Sequence, residues 1–563
     1  MTNLFLSLSM FISLVGVTGF KEAPKVRNLS PRQIGSGSQT LRLLNVEDYI
    51  YEKDESDPEA AENLTKQFEE YAKELGYTNC SVEYYTTDTP ESMFNEVKLS
   101  PGNYDLICPS DYMIQKLIVN DMLSPMHIDE EHMPNYIANA SRTIKGLLDA
   151  ISAVNGKTNE TCYLKDYAVG YMWGTLGLLF DPEYGDRDAD QTIYDMQDWS
   201  VLWNADYKGI SSIKDSVRDT YAIGLLYTLN DDFEENGQTV EGFETLLNKY
   251  QEGIYSAEEY NQKFSDLFNR CDNATLDKVR KSLTKLKGNV FGMEVDSGKQ
   301  DIVTGKIGIN FAWSGDAVYS MDQAEEEREL ELCYSIPRTG SNIWMDAWCM
   351  PKYPQRSEAQ VELAELFLDF LSIPEYTAQN MDYTGYTPFT AGNDILDLTR
   401  EWYDYRYDEE TEEFDDRQYS EEEMEELGLQ KVDLSYFFSG TLTDDYAEDE
   451  NACIFYSDSY LPYTYESESG EILTNECVGR QFFCQFPDEE VLTRCAVMRD
   501  FGSQNDTVLK MWEKFKSDAL PVWAIVLFVV EIVGGALLIT YFFAINRIKK
   551  NLRNKRNESL GKK

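Results

Sequence analysis

The run Trp344-Met345-Asp346-Ala347-Trp348 sets a carboxylate inside an apolar, strand-like stretch. An ionised Asp in such surroundings needs a cationic partner, because burying a charge unpaired is costly. The chemistry on offer is capture of a cation, with a carboxylate to pair with it and aromatic faces to attract it. A Trp on a strand is ordinarily core, however, and 37 tyrosines make any single Tyr uninformative. Little else in the chain offers chemistry. The two histidines, His127 and His132, share the segment MHIDEEHM at spacing i, i+5. That spacing puts them on different faces of a helix, so polar surface side chains are a simpler reading than zinc ligands. There is no Gly-x-Ser-x-Gly elbow, no Gly-x-x-x-x-Gly-Lys phosphate loop and no dinucleotide fingerprint. Carboxylates are too numerous for an acid–base pair to be singled out. The sequence argues against an enzyme and names no metal or cofactor.

The chain has 563 residues, more than one core holds, so two or more lobes are expected. Its 100 carboxylates outnumber its 50 Lys and Arg, for a formal charge of −50. A nucleic-acid partner needs a basic face, which this balance does not provide. Cationic ligands are favoured by long-range attraction, although solubility alone also accounts for the charge.

Strands and helices alternate in the first part of the chain. Strand-like runs at 41–44, 81–85 and 104–108 flank helical patterns at 58–75, 91–98 and 111–119, which implies a parallel sheet covered by helices. Residues 166–180 (DYAVGYMWGTLGLLFD) read as an extended crossover between lobes. Helices dominate 215–290, with strands at 307–313, 332–336 and 344–350. Two helices, 357–373 and 375–381, meet at Pro374, and a last helix covers 507–516. Residues 401–452 are strongly acidic and Tyr-rich, and read as a solvated, partly helical insertion. No Asp-x-Asp-x-Asp-Gly spacing supports a calcium loop there.

The one long apolar stretch runs from Leu520 to Ile545, a length that suits a bilayer span. Asp518 and Pro521 suit a helix start, and Trp523 and Tyr541 an aromatic belt. The cations of the tail at 546–563, from Arg547 to Lys563, predict a cytoplasmic C-terminus with everything before Leu520 outside. Residues 1–40 are expected to comprise an apolar, signal-like segment and a Gly/Ser linker. The charges at Lys21, Lys25 and Arg27 follow the apolar run, the reverse of a signal peptide. Ten cysteines in an exported domain permit disulfides, with Cys453, Cys477, Cys484 and Cys495 the best candidates. Cys108 and Cys349, in apolar strand-like runs, read as buried thiols.

Seven segments in order carry a family resemblance: LRLLNVEDYI (41–50), YDLICPSDYMIQKL (104–117), YMWGTLG (171–177), DSVRDTY (215–221), FAWSGDAVY (311–319), IWMDAWCMP (343–351) and GYTP (385–388). Together they resemble the spermidine/putrescine-binding proteins of bacterial ABC importers. The resemblance spans about 41–395 and returns near 496–516. Some relatives carry this domain behind a fused permease. It implies an α/β, two-lobed, type II periplasmic-binding-protein-like clamp, here with one C-terminal transmembrane helix. Lobe one would be 41–171 with 346–392. Lobe two would be 172–345 with 393–516, including an acidic, Cys-containing insertion at 401–495.

The resemblance also implies roles. Asp346 and Asp219 fall where the family places carboxylates on ammonium groups. Trp313 and Trp344 match aromatic walls. Tyr49, Tyr112 and Tyr386 match further wall or hydroxyl contacts, Ser110 matches a hydroxyl contact, and Asp215 stands beside the second carboxylate. The sequence departs from the family at Val46, where many relatives have Trp, at Glu47, where they have a hydroxyl residue, and near Met498, where they have Gln. The implied partners are a polyamine, an ABC permease with its cytoplasmic ATPase, and the membrane. A tethered binder of another organic cation, a signalling receptor and an enzyme on the same fold are the alternatives.

Overall fold

Thirteen consecutive residues without a charge, Ala168–Phe180, are all buried and form one long strand. An uncharged run of that length, rich in β-branched and aromatic residues, fits a strand covered on both faces. In the computed structural model this strand is the spine of the sheet. The described residues run from 39 to 517, apart from 55, 57–59, 409, 410, 412, 459–462 and 468.

The main strands are β1 (Gln39–Asn45), β2 (Cys80–Thr86), β3 (Leu106–Ile107), β4 (Ala168–Phe180), β5 (Ser211–Lys214), β6 (Gly292–Glu294), β7 (Ile309–Trp313) and β8 (Ser341–Pro351). Their order across the sheet is β6-β5-β7-β4-β8-β3-β1-β2. Each wing is parallel: β2 and β3 flank β1 on one side, and β6 and β7 flank β5 on the other. Between them β4 and β8 run antiparallel to each other and to their outer neighbours. Two parallel α/β halves joined by two long crossing strands make a two-lobed α/β architecture.

Helices follow the strands. The principal ones are α1 (Leu64–Glu74), α2 (Asp111–Val119), α3 (Val217–Thr228), α4 (Asn273–Lys287), α5 (Ser314–Arg328), α6 (Glu358–Phe370) and α7 (Pro374–Thr384). Their apolar stripes are buried: Leu64, Phe68 and Ala72 of α1 lie at i, i+4, i+8, and the stripe Leu276, Val279, Leu283 and Leu286 of α4 packs on α3, where Gly224 faces Val279 and Leu283. Caps fix several starts. Ser357 and Gln360 close a reciprocal capping box on α6, and Pro374 occupies the first turn of α7.

Four expectations change. The helix expected at 58–75 starts only at Leu64, because the Asn63 side chain is engaged by the Lys53 N–H. The strand at 104–108 contracts to two residues. The acidic insertion is not wholly solvated: Val432, Leu434, Phe437 and Phe438 are buried, and the Phe437 ring lies 6.2 Å from Trp173 and 5.2 Å from Phe486. All ten cysteines are free thiols. Cys453, Cys477, Cys484 and Cys495 are buried in the apolar core instead of pairing, while Cys108 and Cys349 are buried thiols as expected.

The chain divides into two units, Met1–Val508 and Leu509–Lys563. Of the second, residues 509–517 are described, and they continue the helix Asn505–Lys516. Among the described residues no helix is long and apolar enough to cross a membrane. The segment read as transmembrane (519–545), the basic tail (546–563) and the apolar N-terminus (1–38) lie outside the described residues.

Gly177 on β4 shows how tightly the spine is packed. A Cβ there would stand 2.6 Å from the Ser335 carbonyl oxygen and 2.4 Å from the Tyr334 ring. Gly177→Ala is expected to cost about 1–3 kcal/mol in a urea titration, because backbone as well as side chain must give way. An unchanged midpoint would mean that the sheet shifts freely at this point.

Candidate functional site

The site grows out of one irregularity. The β4–β8 register breaks after Asp346, where Asp346 opposes Met172 and Ala347 opposes Gly170. Tyr171 is therefore the extra residue of a β-bulge, a device that re-aims a side chain. Its hydroxyl donates to the Tyr49 carbonyl at 2.6 Å and accepts from Asn380 Nδ2 at 2.8 Å. Its ring meets Tyr49 edge-on, with centroids 5.4 Å apart. The bulge thus fixes the loop after β1 that carries Tyr49. On β8 the two-residue period puts Trp344, Asp346 and Trp348 on one face.

Asp346 is held by hydroxyl groups. Its Oδ2 accepts from Tyr49 at 2.8 Å, and Ser110 forms an antiparallel bridge with it. Its Oδ1 is buried without a hydrogen-bond partner among the described residues. The cationic partner expected from the sequence is therefore replaced by a neutral donor. Tyr49 also packs edge-on against Tyr386 at 5.2 Å, and Tyr386 against Trp344 at 5.5 Å. Gly315 makes room for the Tyr386 ring, which a Cβ there would meet at 2.4 Å.

The remaining residues come from three strand-to-helix turns. β3 leads into α2 through Ser110, β5 into α3 through Lys214 and Ser216, and β7 into α5 through Trp313. In open α/β sheets ligands bind beyond the carboxyl ends of parallel strands, where helix N-termini converge. Each of these helices carries an Asp in its first turn: Asp111, Asp219 and Asp316. The positive end of the helix dipole favours a carboxylate there.

Sequence reasoning missed Lys214, Asp316 and Glu294. The Lys214 ammonium is fully buried, 3.1 Å from Glu294 and 3.2 Å from Asp316, and lies 4.2 Å from the centroid of the Trp313 ring. Burial opposes its charge, but Asp316 and Glu294 outweigh this and raise its pKa. Tyr386 donates to Asp316 at 2.8 Å, so the Tyr49–Tyr386 pair links Asp346 at one end to Asp316 at the other. Lys214 ends the short strand Ser211–Lys214, and nothing local to that strand marks it as buried.

Asp219 is 8% exposed. Tyr112 donates to Glu91 at 3.2 Å, and the Arg218 guanidinium covers its ring at 4.9 Å. Tyr49, Ser110, Trp344, Asp346 and Tyr386 form one contact group. Trp313 joins it through Lys214 and Asp316, whereas Tyr112 stands beside Arg218 and Glu91. Of the departures, Val46 is partly buried against the core, Glu47 is exposed, and the Met498 carbonyl accepts from Gln115 at 3.1 Å. The Asp215 N–H donates to the Glu294 carbonyl. The histidines are polar surface side chains, as expected: outside any helix, their rings stack at 4.6 Å, with His127 on Glu365 and His132 on Asp129.

Three carboxyls around the site carry raised pKa values. Burial lifts Asp346 to about 6 against the pull of Ser110 and Tyr49, and the charge of Asp219 adds to the rise. Burial lifts Asp219 to about 6, opposed by Ser216, Lys214 and Arg218 and assisted by Glu91. Burial lifts Asp111 to about 8 against the Met345 N–H and Arg218, with Asp346 adding. A cation arriving beside these groups would favour their ionised forms, which suits the arrangement to organic ammonium ions flanked by aromatic rings.

The same shift sets a stability test. A carboxyl whose pKa is higher folded than unfolded binds more protons in the folded state, so its charge destabilises the fold as pH rises through that window. For Asp346 the window runs from its unfolded value near 4 to about 6. Asp346→Asn keeps an acceptor for Tyr49 and removes the charge. It is expected to match the parent near pH 4 and to exceed it by about 2 kcal/mol at pH 7.5 in denaturant titrations. A margin that does not grow with pH would show that the carboxylate is not strained by burial.

Residues 64–395, more than half of the chain, match the family described as bacterial extracellular solute-binding protein. A putrescine-binding periplasmic protein of Pseudomonas aeruginosa is 22% identical over 354 residues, 61% of this chain and 77% of that one. A spermidine/putrescine-binding periplasmic protein of Haemophilus influenzae is 21% identical over 303 residues, 53% of this chain and 66% of that one. A solved structure from Listeria monocytogenes, described as a spermidine/putrescine ABC transporter protein, superposes with a TM-score of 0.50 at 21% identity, covering 85% of this chain and 99% of that one. That likeness concerns the fold, the two-lobed architecture described above. With the family match extending over both crossing strands and the three strand-to-helix turns, the chain belongs to the bacterial extracellular solute-binding proteins.

Proposed function

We propose that this chain captures a polyamine of the spermidine/putrescine class and hands it to an ABC permease driven by a cytoplasmic ATPase. The observation that carries the proposal is Asp346. It is a half-buried carboxylate on a crossing strand, bonded to the Tyr49 hydroxyl and set among Tyr49, Tyr386 and Trp344. The names of the relatives from Pseudomonas aeruginosa and Haemophilus influenzae support the same ligand class. In this reading Asp346 pairs with one ammonium group and Asp219 with another. Trp313, Trp344, Tyr49, Tyr112 and Tyr386 cover methylenes, and Ser110 supplies a hydroxyl contact. Lobe one comprises 41–171 with 346–392, and lobe two 172–345 with 393–516. A ligand touching both favours the closed arrangement by its differential affinity. Val46, standing where many relatives have Trp, favours a second reading, in which the ligand is another small organic cation.

Calorimetric titration of the full-length protein in detergent with a polyamine panel tests this. Asp346→Asn should weaken binding by about 2–5 kcal/mol, since a desolvated ammonium loses its counter-charge. Polyamine nitrogens stay protonated well above neutrality, whereas Asp346 and Asp219 ionise near pH 6. Affinity should therefore rise from pH 5 to pH 7, with protons released on binding. Equal affinity in parent and variant would remove Asp346 from the site, and a flat pH profile would remove the carboxylates as its titrating partners.

The proposal includes a tether, with residues 519–545 as a membrane-spanning helix and 546–563 as a cytoplasmic tail. Protease added outside intact cells is expected to cut within 401–452 and to spare the tail. Cleavage of the tail with the acidic segment intact would reverse the orientation.

A further inference from the structure

Three features lie outside the assigned roles: the stacked histidines, the Arg218 guanidinium between Tyr112 and Phe501, and the buried Lys214. Only the last bears on what the cleft can hold. Trp313, Asp316 and Glu294 form what would otherwise be a seat for a ligand cation, with an aromatic face and two carboxylates. Lys214 already fills it. Its ammonium lies 4.2 Å from the ring centroid and within 3.2 Å of both acids, and it is 0% exposed. Trp313 itself is only partly buried. Its accessible surface is therefore not on the side that Lys214 covers.

This has a direct consequence for charge. A ring that carries a cation on one face attracts a second on the opposite face poorly, because the same quadrupole serves both and the two charges repel across it. The carboxylates behind it are likewise committed. Lys299 adds further positive charge, 2.8 Å from Asp296 and 3.9 Å from Asp316. The other end of the Tyr49–Tyr386 pair differs, since Asp346 there accepts from the Tyr49 hydroxyl and not from an ammonium. A ligand anchored on Asp346 and lying along the tyrosines thus runs towards a wall whose cation seat is already occupied.

We infer that Lys214 is a specificity-determining residue: it takes the cation seat at Trp313, Asp316 and Glu294, so that the cleft accepts a diamine in preference to a triamine. The inference rests on the polyamine reading of the site. A diamine places its ammonium groups at Asp346 and Asp219 and offers Trp313 only methylenes. A triamine brings one more ammonium towards the Lys214 charge.

The test compares the affinities of putrescine and spermidine for the full-length protein at pH 8 by titration calorimetry. The parent is expected to prefer putrescine by about tenfold. Lys214→Met, similar in length but neutral, should move the ratio of the two affinities towards spermidine by about tenfold, while Lys214→Arg keeps the parent's preference. Because Lys214→Met leaves two buried acids uncompensated, Lys214→Met combined with Glu294→Gln provides a second, less charged version. The same direction of shift is expected from it. A ratio that moves by less than about threefold in the folded variants, or a parent that prefers spermidine, overturns the role of Lys214. A parent that binds neither amine, nor any other polyamine of the panel, defeats the reading of the site and this inference together. A parent that binds with an unmoved ratio defeats this inference alone.

Discussion

The antiparallel pairing of β4 with β8 is the constraint on which the rest depends. Both strands are buried along nearly their whole length, so their backbone groups must find partners in each other and in their neighbours. That requirement ties the two parallel wings into one sheet and leaves little freedom where the register breaks. The break falls at Asp346 and Ala347, with Tyr171 as the extra residue. The bulge sends the Tyr171 side chain to the loop holding Tyr49, and Tyr49 in turn bonds Asp346. A backbone irregularity in the strands that link the lobes thereby places a carboxylate, its donor and the neighbouring rings in fixed relation.

Around that point two pairs of buried acids are handled in opposite ways. On the side of β1 and β3, Asp346 and Asp111 meet a tyrosine hydroxyl and the Met345 N–H, both neutral donors. On the side of β5 and β7, Asp316 and Glu294 meet the Lys214 ammonium. Neutral donors only partly offset the loss of water, so burial wins and the first two acids are pushed towards neutral pH. A full counter-charge outweighs burial, as the raised pKa of Lys214 records.

How far the sequence carried the architecture depended on how local each cause was. The uncharged run at 168–180 and the caps at Ser357 and Pro374 act within a few residues, and those elements lie close to where they were expected. The buried part of the acidic insertion was hidden because Phe437 is buried by Trp173 and Phe486, both distant in sequence. Within the candidate site, Asp346 stood out because its neighbours in the chain are also its neighbours on the strand face. Lys214 did not, since a lysine at a strand end ordinarily reaches solvent. What buries it is Glu294, Asp316 and Trp313, brought in by other strands and turns. The bulge at Tyr171 left no trace in composition or spacing, because it is a property of two strands paired and of neither alone.

The contrast between hydroxyl and ammonium partners separates carboxylates that can change partner from those that cannot. Tyr49 gives Asp346 one neutral hydrogen bond and, among the described residues, Oδ1 has no partner, so a ligand ammonium has both charge and an unused acceptor to gain from displacing or joining it. Lys214 is covalently tethered, and its Coulomb attraction acts from two acids at once. Removing it would leave those acids uncompensated in a region of low dielectric, a cost that no incoming group recovers without bringing equal charge. The chain thus sets an exchangeable carboxylate and a pair of acids that share one tethered ammonium at the two ends of the Tyr49–Tyr386 unit. The number of acids in the cleft therefore overstates the positive charge it can accept, and the ligand's charge is set by which acids retain a partner they can give up.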